Sequence, residues 1–191
     1  MPNPTPAPTP FSPEAYAEWE QTQTEKHEYV AGHVRVIPAG GRDHVLVVGN
    51  ALFALHRALR ETDCTVLLGS LRVQIQRGAR YTYPDLSAVC GEEIYADHSR
   101  TTLVNPTLVV EVLSERTKAY DRGDKLAAYR EIESLRQVVL VAQDRPFAEL
   151  YTRDDTGRWS SREVWEGETL DLASVGAEIA LDDLYAGVST E

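Results

Sequence analysis

Residues 107–114 read TLVVEVLS, a nearly unbroken apolar run with one glutamate, Glu111, inside it. A short β-branched run without alternation predicts a central strand covered on both faces, and hence a sheet with packing on each side. Glu111 then needs explaining. A lone ionised carboxylate in such a strand is costly, so a cation, a metal ion or hydrogen-bond donors must meet it. The plainer alternative is a glutamate that reaches a sheet edge or pairs with an arginine. Upstream, Pro84 and Asp85 stand at the entrance of another apolar run, LSAVC. By itself Asp85 suits a turn or strand entry. Two carboxylates meeting at one end of neighbouring strands instead make a hard oxygen site suited to Mg²⁺ or Mn²⁺.

The remaining pattern gives this strand its surroundings. FSPEAYAEWEQT predicts a helix with Ser12 as cap, Pro13 in the first turn and Glu14 at the positive end of the dipole. HEYVAGHVRVIPAGG predicts a hairpin around Ala31-Gly32, and RDHVLVVGNALFALHRALRE a long helix with Val45, Val48, Leu52, Leu55 and Leu59 as its apolar stripe. CTVLLGSLRVQI and YTYPDLSAVC read as two β-rich runs joined by a turn at Gly78. After the central strand come a helix over 119–132, three strands (RQVVLVAQ, FAELYTR, RWSSREVW) and a short closing helix, LDDLYAGV. The expectation is an α/β or mixed α+β domain over 11–191, its sheet flanked by helices, with a crossover helix setting RQVVLV parallel to TLVVEVL. Residues 1–10 alternate proline with small residues and predict a disordered or extended arm.

The charge balance narrows the functions. A formal net charge of -11 disfavours a simple nucleic-acid binder, because such affinity rests on phosphate neutralisation. The charge is uneven: residues 150–191 hold three basic and ten acidic residues, whereas 115–130 hold five basic and three acidic. A local basic stretch beside an acidic tail is compatible with an anionic substrate. The chain shows neither an apolar run of membrane-spanning length nor a basic-then-apolar leader, so a cytoplasmic location without membrane contact is expected. Cys64 and Cys90 lack metal-type spacing and read as reduced core residues. His27 and His33 flank a turn and read as solvent-exposed. No histidine pair has the helical spacing of a zinc site, Ser114 has no evident base partner, and there is no glycine-rich phosphate loop.

Proline-aspartate followed by an acidic residue in an apolar strand is the skeleton of the PD-(D/E)XK nuclease pattern. EKHEYVAGHV, His44 at the start of the long helix, YTYPDLSAVC, LVVEVLSERTKAYDRGDKLAAYREI, VVLVAQD and LASVGAEIALDDLYAGV extend the likeness. Over about 11–188 the chain resembles the restriction-endonuclease-like Uma-type family, a branch of that superfamily. The resemblance implies a restriction-endonuclease-like mixed sheet and a Mg²⁺- or Mn²⁺-dependent endonuclease that hydrolyses DNA phosphodiester bonds and leaves 5′ phosphates. It implies Asp85 and Glu111 as metal ligands together with the Val112 carbonyl, and Glu28 as a further acidic group at the active site. The superfamily's lysine, expected two residues after Glu111, is Leu113 here; in this branch it matches Lys125 on the following helix. From spacing alone, Lys125 would read as a solvated helix lysine. Family members often carry Asp-Met where this chain has Ser70-Leu71, and an acidic residue at Ala31.

For DNA, the candidate phosphate contacts are Arg116, Lys118, Arg122 and Arg130, with Arg72 a weaker one. His44 could touch a phosphate, hold a carboxylate, or simply start its helix. A homodimer would double the small footprint of one acidic domain. Two other readings stand beside the nuclease. One is a catalytically weak nuclease-fold binding or regulatory module associated with a mobile element, which the acidic charge favours. The other is a metal-dependent hydrolase of a small phosphate ester.

Overall fold

Every residue of the strand Leu108–Leu113 is buried, as its apolar run requires. The computed structural model describes residues 11–189; the stretch 1–10, expected to be an arm, lies outside the described residues. Labels follow chain order. The six-stranded sheet holds β3 (Cys64–Leu68), β6 (Leu86–Cys90), β8 (Leu108–Leu113), β9 (Gln137–Ala142), β10 (Phe147–Arg153) and β11 (Trp159–Trp165). Its order is β11-β10-β9-β8-β6-β3, with β8 central. β8 and β9 run parallel, which the intervening helix permits, and the other pairs are antiparallel. A five-stranded sheet, ordered β2-β1-β5-β4-β7, contains β1 (His27–Val30), β2 (His33–Val36), β4 (Arg72–Ile75), β5 (Arg80–Thr82) and β7 (Thr102–Leu103). A separate hairpin of β12 (Thr169–Leu172) and β13 (Ala177–Ala180) precedes a closing 3₁₀ turn, Leu181–Tyr185.

Three helical segments pack on these sheets. α1 (Pro13–Glu20) starts as its sequence predicts, with the Ser12 side chain accepting from the Ala15 N–H at 3.2 Å. α2 (Arg42–Ala58) covers one face of the six-stranded sheet through Val47, Ala51, Ala54 and Leu55, against Leu86, Ala88, Val110, Val112 and Val139. The buried stripe is therefore rotated from the expected one. Small alanines allow a close approach to the sheet, whereas Val45 is exposed and lines a surface hollow with Val48, Leu52 and Leu68. α3 spans 118–129 and covers the opposite face, where Leu126 and Tyr129 pack with Val109, Leu113, Val138 and Leu140.

The two β-rich runs differ most from expectation. Each splits between the sheets, one into β3 and β4, the other into β5 and β6. An apolar pattern marks strands but not the point where a chain changes sheets. The crossings pack on each other: the Gly69 N–H donates to the Asp85 carbonyl at 2.9 Å, and a Cβ on Gly69 would lie 2.9 Å from the Pro84 carbonyl. Glycine at 69 thus lets Pro84-Asp85 sit at the junction of both sheets.

Two further readings are corrected. Cys64 and Cys90, expected as reduced core residues, face each other across β3 and β6 and are joined in a disulfide, at the end of β6 remote from Asp85. Their strand register brings them together, and spacing along the chain does not reveal it. His27 is buried rather than exposed, its Nδ1 3.0 Å from Glu20 Oε2, while His33 is exposed as read. No helix among the described residues is long and apolar enough to cross a membrane.

The β1–β2 hairpin turns on Ala31 and Gly32, both at positive φ (46° and 92°), as a type I′ turn demands. Gly32 adopts this freely; Ala31 does not. Ala31→Asn should stabilise the protein by about 1 kcal/mol in urea unfolding, because asparagine tolerates this region better than alanine. A loss of stability would mean that the alanine methyl makes contacts worth more than the backbone strain.

Candidate active site

Glu111 gains its partners from strand register and helix geometry. Leu86 pairs with Val110, so continuing the β6–β8 register by one residue sets Asp85 beside Glu111. The Val112 N–H donates to Asp85 Oδ2 at 2.7 Å and fixes that carboxylate. Side chains alternate along β8: Val110 and Val112 join the core under α2, while Val109, Glu111 and Leu113 face α3. α3 is α-helical at Lys118–Tyr120 and Leu126–Tyr129 but widens to a π-turn over Asp121–Lys125. Such widened turns recur at functional sites because they re-aim side chains. Here Lys125 Nζ reaches Glu111 Oε1 at 2.7 Å, and the Tyr129 hydroxyl donates to the same oxygen. Lys125 also lies 3.3 Å from Glu28 Oε1 and 3.8 Å from Asp121 Oδ1. Glu28, on β1 of the other sheet, accepts from the Thr82 hydroxyl and from Arg35.

Beside them lies a cavity of about 400 Å³ lined by His44, Asp85, Glu111, Val112, Asp121 and Lys125, among others. Its electrostatics are unbalanced. Burial alone would drive the Lys125 ammonium toward neutrality, but Glu111, Tyr129, Glu28 and Asp121 hold it charged, well above the ordinary lysine range. Burial also opposes ionisation of Glu28, yet Lys125, Thr82 and Arg35 outweigh it and lower that carboxyl. Glu111 behaves differently. Burial pushes it up to about 8; Lys125 opposes this, while Asp85 and Asp121 reinforce it. Asp121 is likewise raised, chiefly by burial. Burial, more than crowding of like charges, sets the direction of the shift at both Glu111 and Asp121.

The structure brings together Glu28, Asp85, Glu111, Val112 and Lys125 from the sequence-predicted set. His44 joins them: its Nε2 lies 3.1 Å from Asp85 Oδ1. Burial disfavours charge on its ring, but Asp85, the Val112 backbone and Asp121 raise its pKa. Arg116 is exposed on the cavity rim. Lys118 lies outside the cluster, paired with Glu115 at 2.8 Å, and Arg122 with Glu149 at 2.6 Å. Arg130 packs over the Tyr151 and Trp159 rings. Arg72 is buried on β4, donating to the Thr101 hydroxyl at 3.1 Å and the Ala17 carbonyl at 3.4 Å, so it presents no guanidinium to a phosphate at the surface. Sequence reasoning missed Tyr129, Thr82, Arg35 and Asp121. The spacing of Asp121, Lys125 and Tyr129, one helical turn apart, was the available signal.

Glu111 holds its proton more tightly in the folded chain than in the unfolded one. Its contribution to stability is complete below the ordinary value of 4.5 and is lost as pH rises through about 8. His44 and Asp121, also raised, add slope of the same sign. Urea unfolding of the metal-free protein should therefore show stability declining across this window, and Glu111→Gln should make the decline shallower. An equally steep profile in the variant would assign the slope to other groups.

Comparisons with known proteins bear on the family and the fold. The family model Uma2, described as "Putative restriction endonuclease", matches residues 13–182. Two Synechocystis proteins are similar along most of their length. The uncharacterized protein slr1290 is 36% identical over 182 residues, covering 94% of this chain and 93% of its own. The uncharacterized protein sll1609 is 26% identical over 157 residues, covering 82% and 88%. A crystal structure from Anabaena variabilis, described as "a putative nuclease belonging to DUF820", superimposes with a TM-score of 0.77 at 14% identity, covering 94% of this chain and 100% of that one. It shares the fold. With its restriction-endonuclease-like mixed architecture and a family match along most of its length, the chain belongs to the Uma2 family, consistent with the PD-(D/E)XK superfamily.

Proposed function

We propose that this chain is a Mg²⁺- or Mn²⁺-dependent endonuclease that hydrolyses DNA phosphodiester bonds in the cytoplasm. One observation carries the reading: Lys125 delivers an ammonium to Glu111 from α3, restoring the cation that Leu113 cannot supply from β8. The residues fit a divalent ion. Asp85, Glu111 and the Val112 carbonyl are hard oxygen donors where two adjoining strands meet. Such an ion supplies Lewis acidity toward a phosphoryl oxygen.

The chain's own residues do the rest. The Val112 N–H holds the Asp85 carboxylate in place. Tyr129 and Lys125 both donate to Glu111 Oε1, which orients that carboxylate. Lys125, pinned between Glu28 and Glu111, offers a fixed positive charge where negative charge develops on the phosphate. Glu111 first, then Tyr129, Glu28 and Asp121, keep that ammonium protonated against its burial. Arg116, at the rim, is the best-placed phosphate contact.

Supercoiled plasmid should be nicked with Mg²⁺ or Mn²⁺ and spared when a chelator is present. Lys125→Ala should slow nicking by roughly two to three orders of magnitude, and Lys118→Ala by far less. Binding of the same plasmid with Ca²⁺ should weaken steeply with salt. Binding without nicking would favour the regulatory-module reading, and the absence of both would remove DNA as the substrate.

Lys125→Ala also leaves buried carboxylates without their cation, so it should destabilise the metal-free protein by about 3–5 kcal/mol. Lys118→Ala, which breaks an exposed pair, should cost less than about 1 kcal/mol. Equal and small losses in both would mean that Lys125 is not held in the cluster.

A further inference from the structure

The surface hollow at Val45 takes no part in the reaction proposed above, yet the fold keeps it open. It measures about 670 Å³ and lies between the outer face of α2 and the end of β3. Val45, Val48, Leu52 and Leu68 line it from those two elements, and Ile37 and Pro38 from the strap that joins β2 to α2. Val45 is 59% exposed and Leu68 49%. Large apolar side chains left uncovered side by side mark a binding surface, whereas scattered ones do not. Gly49 stands within α2 on the same lining, where a Cβ would meet nothing within 4 Å. Glycine weakens a helix interior, and no packing requires it at this position. What it does is leave the hollow unfilled. The hollow adjoins the candidate active site, since His44, Tyr83 and Asp85 line both. Its carboxylates are Asp85 and Glu25. Lys26, also on its lining, donates to the Gly69 carbonyl at 2.8 Å and has no carboxylate within ion-pair distance among the described residues.

We infer that this hollow receives an unpaired nucleobase of the DNA strand whose phosphate lies beside Asp85, so that the site acts on unpaired strands in preference to intact duplex. The inference rests on the endonuclease reading above and deepens it. An occupant continuous with that site must carry a phosphate at one end and a weakly polar body at the other, and a nucleotide is such a ligand. Proteins that admit a base hold it between apolar or aromatic side chains and meet its polar edge with hydrogen bonds. Val45, Leu52 and Pro38 supply apolar walls, and the exposed Ser70 offers a hydroxyl for the edge. Lys26 is placed to meet a neighbouring phosphate of the same strand. In a duplex the bases beside a phosphate are paired and stacked. They reach a hollow at the side only by leaving the stack, which costs the energy of unpairing. A strand that is already unpaired avoids this cost, and negative supercoiling lowers it. Nicking of supercoiled plasmid therefore belongs to the same preference.

The test compares one oligonucleotide as a single strand and as a duplex, each bound to the full chain in Ca²⁺ and followed by fluorescence anisotropy. The single strand should bind about tenfold more tightly, within the range for one stacked base. Gly49→Gln fills the hollow with a better helix former, so the fold is kept. This variant should lose the preference for the single strand while its affinity for duplex stays nearly unchanged. A fluorescent purine analogue in the single strand should change its emission on binding the unaltered chain, and not on binding the variant. Equal affinity for the two forms, or a preference that survives Gly49→Gln, would overturn the inference and leave the endonuclease reading standing. A dimer that dissociates in the variant, with the DNA preference intact, would give the hollow to a second copy of the chain instead. No binding of either form would remove the endonuclease reading and the inference together.

Discussion

Lys125 is an ammonium with almost no access to water, facing Glu111 on the central strand, Glu28 on the second sheet and Asp121 on its own helix. The elements that carry these groups have little freedom once the cluster forms. If β8, β1 and α3 drifted apart, a charge would be left in a low-dielectric interior without its partner, at a cost of several kcal/mol. The apolar clusters on the two faces of the six-stranded sheet supply most of the driving force for folding, but they would tolerate some sliding. The charge cluster does not. It fixes where the two sheets meet and which turn of α3 lies over Glu111.

The same cluster is not arranged for stability. A glutamate raised to about 8 in the centre of a sheet is a cost that a leucine would avoid. Strongly perturbed groups gathered around a cavity are the mark of a site built for chemistry. The local irregularities point the same way. The π-turn aims Asp121 and Lys125 inward, and Gly69 allows the backbone contact that seats Pro84-Asp85 between the sheets. Each departs from regular structure at the place where a site residue must be aimed.

Much of this was legible from residues alone, and the remainder failed for identifiable reasons. Glu111 announced itself, because a carboxylate within a doubly covered strand has few physical solutions. The parallel pairing of β8 and β9 followed from the helix between them. The identity of the compensating cation did not follow: a helix lysine looks solvated until its helix is docked, and only the family resemblance singled out Lys125. The split of both β-rich runs was hidden because strand patterns carry no information about sheet membership. Arg72 and His27 were misjudged as surface groups because their charge was visible but their partners were not. Cys64 and Cys90 were misjudged because register, not spacing, joins them.

The acidity of the chain, which at first argues against nucleic acid, takes on another meaning beside this geometry. Of the basic residues near the cavity, Arg122 and Lys118 already have carboxylate partners, while Arg116 has none within ion-pair distance among the described residues. Asp85, Asp121, Glu111 and Glu115 line the same opening as Lys125 and Arg116, so a phosphate meets carboxylates there as well as cations. On the proposed function, a divalent ion would add positive charge at the point where the phosphate must arrive. Ion and nucleic acid would then each raise the affinity for the other, by the same factor, because coupling between two binding equilibria is reciprocal. On that reading an acidic chain would hold DNA weakly until the ion is in place, and the metal would be a condition for binding as well as for hydrolysis.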